Sequence, residues 1–157
     1  MGVYFSCTNS HREGREMLFK DCLCFQVGKI ARKMSEITRE KVASYDLTTT
    51  QFFLLIALYE QDGIFISTLA HKLALRKATL TGLLDRLERD GFTERRADPQ
   101  DRRVMRIHLT PKAEKLRDEL TQIYHENNHM FLSLLSKEEQ EVFEQVVCNI
   151  ETTDKKG

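Results

Sequence analysis

The stretch "RKATLTGLLDRLERDGFTERRADPQDRRVMRIHLT", residues 76–110, decides the fold. In its first half Leu80, Leu83, Leu84 and Leu87 recur at i, i+3, i+4 and i+7, which marks one apolar helix face over residues 77–90. Gly91 follows as a C-terminal cap. The period then changes. "FTERRA" and "RVMRIHL" have strand character, with Val104, Ile107 and Leu109 as the β-favouring residues of the second. "DPQD" between them carries a proline turn signal. The expectation is a helix followed by a β-hairpin whose tip presents Arg102 and Arg103. Thr110-Pro111 opens the next helix, a cap followed by proline at the first helical position. Five arginines (Arg95, Arg96, Arg102, Arg103 and Arg106) crowd this hairpin in a chain of zero formal net charge, and their purpose needs an explanation.

Upstream, Ser67 is read as the cap of a short helix through Leu69, Ala70 and Leu73, followed by a tight turn at Ala74-Leu75. Thr48 with Gln51 forms a capping box ahead of the apolar run from Phe52 to Tyr59, a buried helix that Asp62-Gly63 ends. Phe19, Leu23, Val27, Ile30, Met34 and Ile37 mark one face of a long first helix over residues 15–44. Phe25 points to its other side, so this helix is expected to be buried twice, once by its own core and once by a partner subunit. Downstream of the hairpin, Ala113, Leu116, Leu120, Ile123, Asn127, Met130 and Leu134 keep a three-four spacing over about six turns, longer than a small core needs. Asn127 falls on that stripe, where a polar group can fix pairing register. "SKEE", residues 136–139, is a second capping box and opens a last helix through Val142, Phe143, Val146, Val147 and Ile150. The predicted architecture is mainly α with a small β-hairpin. It forms one domain with a flexible leader over 1–14, dimerisation helices over 15–46 and 111–151, and a winged helix-turn-helix over 47–110.

Composition agrees. The chain has 157 residues, 41% hydrophobic and 31% charged, the size and make-up of one helix-rich domain. No apolar run approaches the ~20 residues needed to span a membrane. The first residues lack a signal peptide's apolar core, although they match the loose acylation pattern Met-Gly-x-x-x-Ser. Four cysteines (Cys7, Cys22, Cys24, Cys148) without an export signal are read as reduced thiols of a cytoplasmic protein. Cys22 and Cys24 project about 200° apart on a helix and cannot pair within it. No Cys-x-x-Cys pair accompanies Cys22 and Cys24 and there is no glycine-rich phosphate loop, so no metal or cofactor is expected. His71, His108, His125 and His129 are scattered and read as surface residues. No His or Asn is placed to serve Cys24 as a base, which argues against a thiol enzyme. The zero net charge conceals an asymmetry: residues 64–110 hold ten Lys/Arg against six Asp/Glu. A basic patch on an otherwise acidic chain is a footprint for a polyanion.

The helix over 77–90 has the shape for one. With its leucines inward, Ala78, Gly82, Asp85 and Arg89 face outward, flanked by Thr79, Thr81 and Arg86. Glycine costs about 1 kcal/mol in a helix interior relative to alanine, so a small exposed strip suits a surface that something approaches closely, such as the DNA major groove. Arg76 and Lys77 put cations at the positive end of the helix dipole, unfavourable for the helix and attractive to phosphate. A narrow turn presenting arginine can enter the minor groove, with Asp98 and Asp101 as orienting partners holding the arginines by forked hydrogen bonds.

These residues, above all the block over 69–116, resemble the MarR family of bacterial transcription regulators, with a match running over 22–150. The resemblance maps the family's wing Asp-x-Arg onto Asp101-Arg102-Arg103, making Arg103 the minor-groove residue and Asp101 its brace. The family's Thr-x-x-Gly helix start survives in part as Thr110-Pro111-Lys112-Ala113. Arg76 stands where a capping Ser or Asp is usual, so the operator preference of relatives should not transfer. The resemblance implies a homodimer with its first, fifth and sixth helices interlocked on a pseudo-palindromic double-stranded DNA operator. It also implies a small aromatic ligand held among the first, second and fifth helices and releasing a repressor. Winged helices that bind protein instead usually lack wing arginines. Leu23-Cys24-Phe25 is similar to the organic-hydroperoxide-sensing branch, whose cysteine is oxidised to release DNA. That branch carries a tyrosine where this chain has Thr49, and Tyr45 is the candidate substitute. The contrasting reading makes Cys24 a small buried hydrophobe.

Overall fold

The computed structural model describes residues 22–153, and the chain divides between Glu36 and Ile37 into two units. The predicted leader and the first turns of the predicted first helix lie outside the described residues. Helix α1 spans Leu23–Val42. In the first unit its predicted stripe residues Leu23, Val27 and Ile30 are exposed, and the Arg32 guanidinium lies 5.8 Å over the Phe25 ring.

In the second unit α1 buries Thr38 and Val42 and gives way to a 3-10 turn at Ala43–Tyr45, short of the predicted end at 44. Asp46 closes that turn with φ 56. Helix α2, Thr49–Glu60, carries the predicted capping box: Gln51 N donates to Thr48 Oγ1 (3.3 Å) and Thr48 N to Gln51 Oε1 (3.0 Å). Phe52, Leu54, Leu55 and Leu58 are completely buried, so α2 is a core helix covered on most sides.

Strand β1, Ile64–Phe65, was not foreseen, because two residues are too few to show a period. It pairs antiparallel with β3, Met105–Leu109, which also pairs with β2, Thr93–Ala97, in the order β1-β3-β2. Helix α3, Ile66–Lys72, starts from Phe65, and the predicted cap Ser67 lies inside it. Pairing of Phe65 with Arg106 holds the backbone extended there, so the end of a strand sets the start of this helix and no hydroxyl is needed. Between α3 and α4, Lys77–Arg89, Ala74 adopts φ 50 and Leu75 N donates to Ala70 O (2.9 Å), the expected tight turn. Leu80, Leu84 and Leu87 face inward. Gly91, at φ 77, and Phe92 close α4 by donating to Glu88 O (3.0 Å) and Leu87 O (2.8 Å), a Schellman ending. β3 begins two residues later than the predicted segment, since Asp98 N donates to Val104 O (2.8 Å) and Val104 N to Asp101 O (2.9 Å), which keeps Arg103 and Val104 in the loop.

The predicted six-turn helix is two helices, α5 (Pro111–Lys115) and α6 (Arg117–Leu132), with Leu116 between them at φ −95, ψ −2. Tyr59 accounts for the break. Its hydroxyl donates to Ala113 O (2.7 Å), the carbonyl that a continuous helix would offer to Arg117 N, and Arg117 Nη1 reaches back to Tyr59 O (2.7 Å). Burial pushes the Tyr59 phenol up to about 12, so it stays a neutral donor. Thr110 caps α5 as expected, accepting from Ala113 N (3.3 Å). Asn127 is buried, and its Nδ2 donates to Thr38 Oγ1 (3.3 Å) within the same chain, while its Oδ1 has no hydrogen-bond partner among the described residues. Leu134 lies beyond α6. The capping box at Ser136 and Glu139 opens α7, Lys137–Thr153, whose apolar stripe is exposed from 40% at Val147 to 65% at Ile150.

Candidate nucleic-acid interface

Helix α4 is anchored by Leu80, Leu84 and Leu87, each of which leaves at most 1% of its surface exposed; burying a leucine stabilises by about 1.5–3 kcal/mol. That anchor turns the opposite face outward. Arg76, Lys77, Ala78, Thr79, Thr81, Gly82 and Arg86 are all exposed, so every residue of α4 and its cap proposed for DNA binding from the sequence is open to solvent. A Cβ added at Gly82 would meet nothing within 4 Å. The glycine is therefore not required by packing. Arg76 occupies the cap position with φ −65 and ψ 140 and makes no side-chain cap hydrogen bond, and no acidic residue lies in the first turn. The first N–H groups of α4 keep their pull on an anion. Thr81 differs from the rest: its hydroxyl donates back to Lys77 O (2.9 Å).

The wing brings the hairpin residues together in two groups. Asp101 holds Arg103 as expected. Arg103 Nε donates to Oδ1 (3.0 Å), Nη2 to Oδ2 (3.0 Å), and the Arg103 backbone N–H also to Oδ1 (3.0 Å). The Arg103 hydrogen bond keeps the Asp101 carboxyl below its usual range. The Arg103 side chain is nevertheless 90% exposed, a guanidinium aimed before any ligand arrives.

Asp98 does something other than expected. It does not brace the tip arginines. Its Oδ1 accepts from Gln100 N (2.8 Å) and Asp101 N (3.0 Å), and its Oδ2 accepts from Arg106 Nε. Arg106 further donates to Gly63 O (2.8 Å) and lies 3.9 Å over the Phe65 ring, so it is turned into the sheet. Arg95 is bound by Glu88 and by Asp85 (2.6 Å), Arg96 by Glu94, and the outward-facing Arg89 by Asp90 (3.3 Å). The five hairpin arginines thus divide. Arg95 is held against α4 and Arg106 against the sheet; Arg96 is exposed and paired with Glu94 on its own strand; Arg103 is braced and exposed; Arg102 has no carboxylate partner among the described residues. Arg76, Lys77 and Arg86 likewise have none.

A second clamp escaped sequence reading. Asp62 Oδ1 accepts from Leu109 N (2.7 Å), Asp62 Oδ2 lies 2.9 Å from His108 Nδ1, and Gly63 adopts φ 69. Without β1 in view, nothing linked the "DG" after α2 to the hairpin. A groove of about 670 Å³ lies between α2 and α6, lined by Ile56, Tyr59, Thr121, Tyr124 and His125 among others. Cys24, in the first unit, is exposed within the single chain, where the sequence reading sets a small buried hydrophobe against a reactive thiol. Among the described residues no group of His, Cys, Asp and Glu could hold a metal ion, and no helix is long and apolar enough to cross a membrane.

Comparison with known proteins agrees with this geometry. The family model described as the MarR family matches residues 47–105. The uncharacterized HTH-type transcriptional regulator YsmB of Bacillus subtilis is 34% identical over 122 residues, covering 78% of this chain and 84% of that protein. The HTH-type transcriptional regulator MgrA of Staphylococcus aureus is 33% identical over 103 residues, covering 65% and 70%. The crystal structure of the S. aureus MepR–DNA complex superposes with a TM-score of 0.77 at 29% identity, over 84% of this chain and 98% of that one. The chain belongs to the MarR family. It is a winged helix-turn-helix transcriptional regulator and not an enzyme.

Proposed function

We propose that this regulator binds double-stranded DNA as a homodimer, represses from a pseudo-palindromic operator and is released by a small aromatic ligand. One observation carries the DNA reading: the smooth Ala78–Gly82 strip of α4, the unpaired cations Arg76, Lys77, Arg86 and Arg102, and the braced guanidinium of Arg103 are all exposed on α4 and the wing that follows it. The strip suits entry to a major groove and Arg103 a minor groove, while the cations suit phosphates. MepR, of similar fold, was crystallised on DNA, which supports the same partner here. The test is selection of bound duplexes from the DNA upstream of the protein's own gene, followed by a mobility-shift titration. The expected site is an inverted repeat with half-sites about 10 bp apart. No preference over random duplex would overturn the reading.

The groove between α2 and α6 has the size of a small-molecule site, and its aromatic edges suit an aromatic effector. The exposure of Cys24 favours a second reading, peroxide release through that thiol, because a sensing cysteine must be reachable. Against it, the Tyr45 hydroxyl is already committed to Glu119 Oε2 (2.7 Å). We expect Cys24→Ser to keep DNA binding and the response to the inducer. If cumene hydroperoxide releases the wild type but spares Cys24→Ser, the redox reading replaces the ligand one.

A further inference from the structure

The wing loop carries its arginines only as accurately as its backbone is held, and one side chain holds both ends of the support. Asp98 is 4% exposed, and its carboxylate fixes the N–H groups of Gln100 and Asp101, the turn on which the Asp101–Arg103 fork is built. A buried carboxylate needs a counter-charge, which Arg106 supplies through Nε. Arg106 is tied in turn to Gly63 O, just before β1, and to the Phe65 ring on β1. We propose that Arg106 is the positioning residue of the wing: it meets no DNA and sets the place of Arg103 through Asp98 and Asp101. This rests on the DNA reading above and sharpens it, since Arg106 would otherwise count among the wing's contacts.

The test is a double-mutant cycle on the full chain, using a duplex that the wild type selects from a random pool, with binding titrated over a range of salt. Arg103→Ala should weaken binding about tenfold or more, and Arg106→Gln by a similar factor. The Arg103→Ala/Arg106→Gln double variant should bind no more weakly than the weaker single variant, with no further fall in salt slope, because Arg106 acts only through the group already removed. Additive losses, or a further drop of about one in the slope, would make Arg106 an independent contact and overturn the proposal. Wild-type affinity in Arg106→Gln would overturn it as well. Full affinity in Arg103→Ala would instead sink the wing reading on which it rests. Should Arg106→Gln fail to fold, Asp98→Asn combined with Arg103→Ala makes the same comparison one step along the chain of contacts, with the same expected non-additivity and the same overturning result.

Discussion

Arg103 and Lys72 are both exposed cations, yet their surroundings assign them different work. Arg103 is forked onto Asp101 and 90% exposed, whereas Lys72 is engaged by Glu60. We expect Arg103→Ala to cost about 1–3 kcal/mol of specific DNA affinity and Lys72→Ala less, measured by mobility shift on one duplex; equal losses would mean that the wing is not inserted. Asp98 makes a separate prediction. The Arg106 hydrogen bond, then the N–H groups of Asp101 and Gln100, hold its carboxyl below the ordinary value of 3.8. A depressed carboxyl stabilises the fold above its unfolded value, and that contribution disappears as pH falls through the folded one. The melting temperature of wild type should therefore exceed that of Asp98→Asn by a constant margin at neutral pH. The margin should shrink once pH drops below 3.8. A margin that persists in acid would show that the carboxylate is not what Asp98 contributes.

Helix α4 trades stability for an open surface. With nothing within 4 Å of a Gly82 Cβ, Gly82→Ala should stabilise the protein by about 1 kcal/mol through helix propensity alone, read by thermal unfolding. Gly82→Leu should fold equally well and lose DNA binding, because the bulk stands where a groove floor would come. If Gly82→Leu binds as tightly as wild type, the strip is not the reading surface. The break between α5 and α6 has a tertiary cause: the Tyr59 hydroxyl takes the Ala113 carbonyl that a continuous helix would have paired with Arg117 N.

Among the described residues, apolar surface is left without cover. Leu23, Val27 and Ile30 on α1, and Val142, Phe143, Val146 and Ile150 on α7, are each at least 44% exposed. We expect an obligate homodimer in sedimentation, with no folded monomer at roughly micromolar concentration. Salt should dominate its DNA affinity. The four cations of α4, its cap and the wing that have no carboxylate partner among the described residues, Arg76, Lys77, Arg86 and Arg102, would give a log–log salt slope of at most about −7 for the dimer if every one meets a phosphate. A slope near zero would exclude the phosphate role of all four.

Helices α2, α4 and α7, the caps at Thr48, Thr110 and Ser136, and the hairpin were readable from periodicity and cap chemistry, because each depends on residues within a few positions of one another. The small, cationic face of α4 was readable for the same reason: a leucine stripe on one side fixes what lies on the other. Interactions distant in sequence decided the rest. Pairing of Phe65 with Arg106 created β1 and overrode Ser67 as a cap, and Tyr59 divided one periodic stretch into α5 and α6. The five hairpin arginines look alike along the chain. Only the folded sheet, which brings Gly63 and Phe65 beneath Arg106 and leaves Arg103 in solvent, separates the arginine that supports the wing from the one that it presents. The physical reason is that a side chain's partner is set by who arrives beside it in space, which local pattern does not encode.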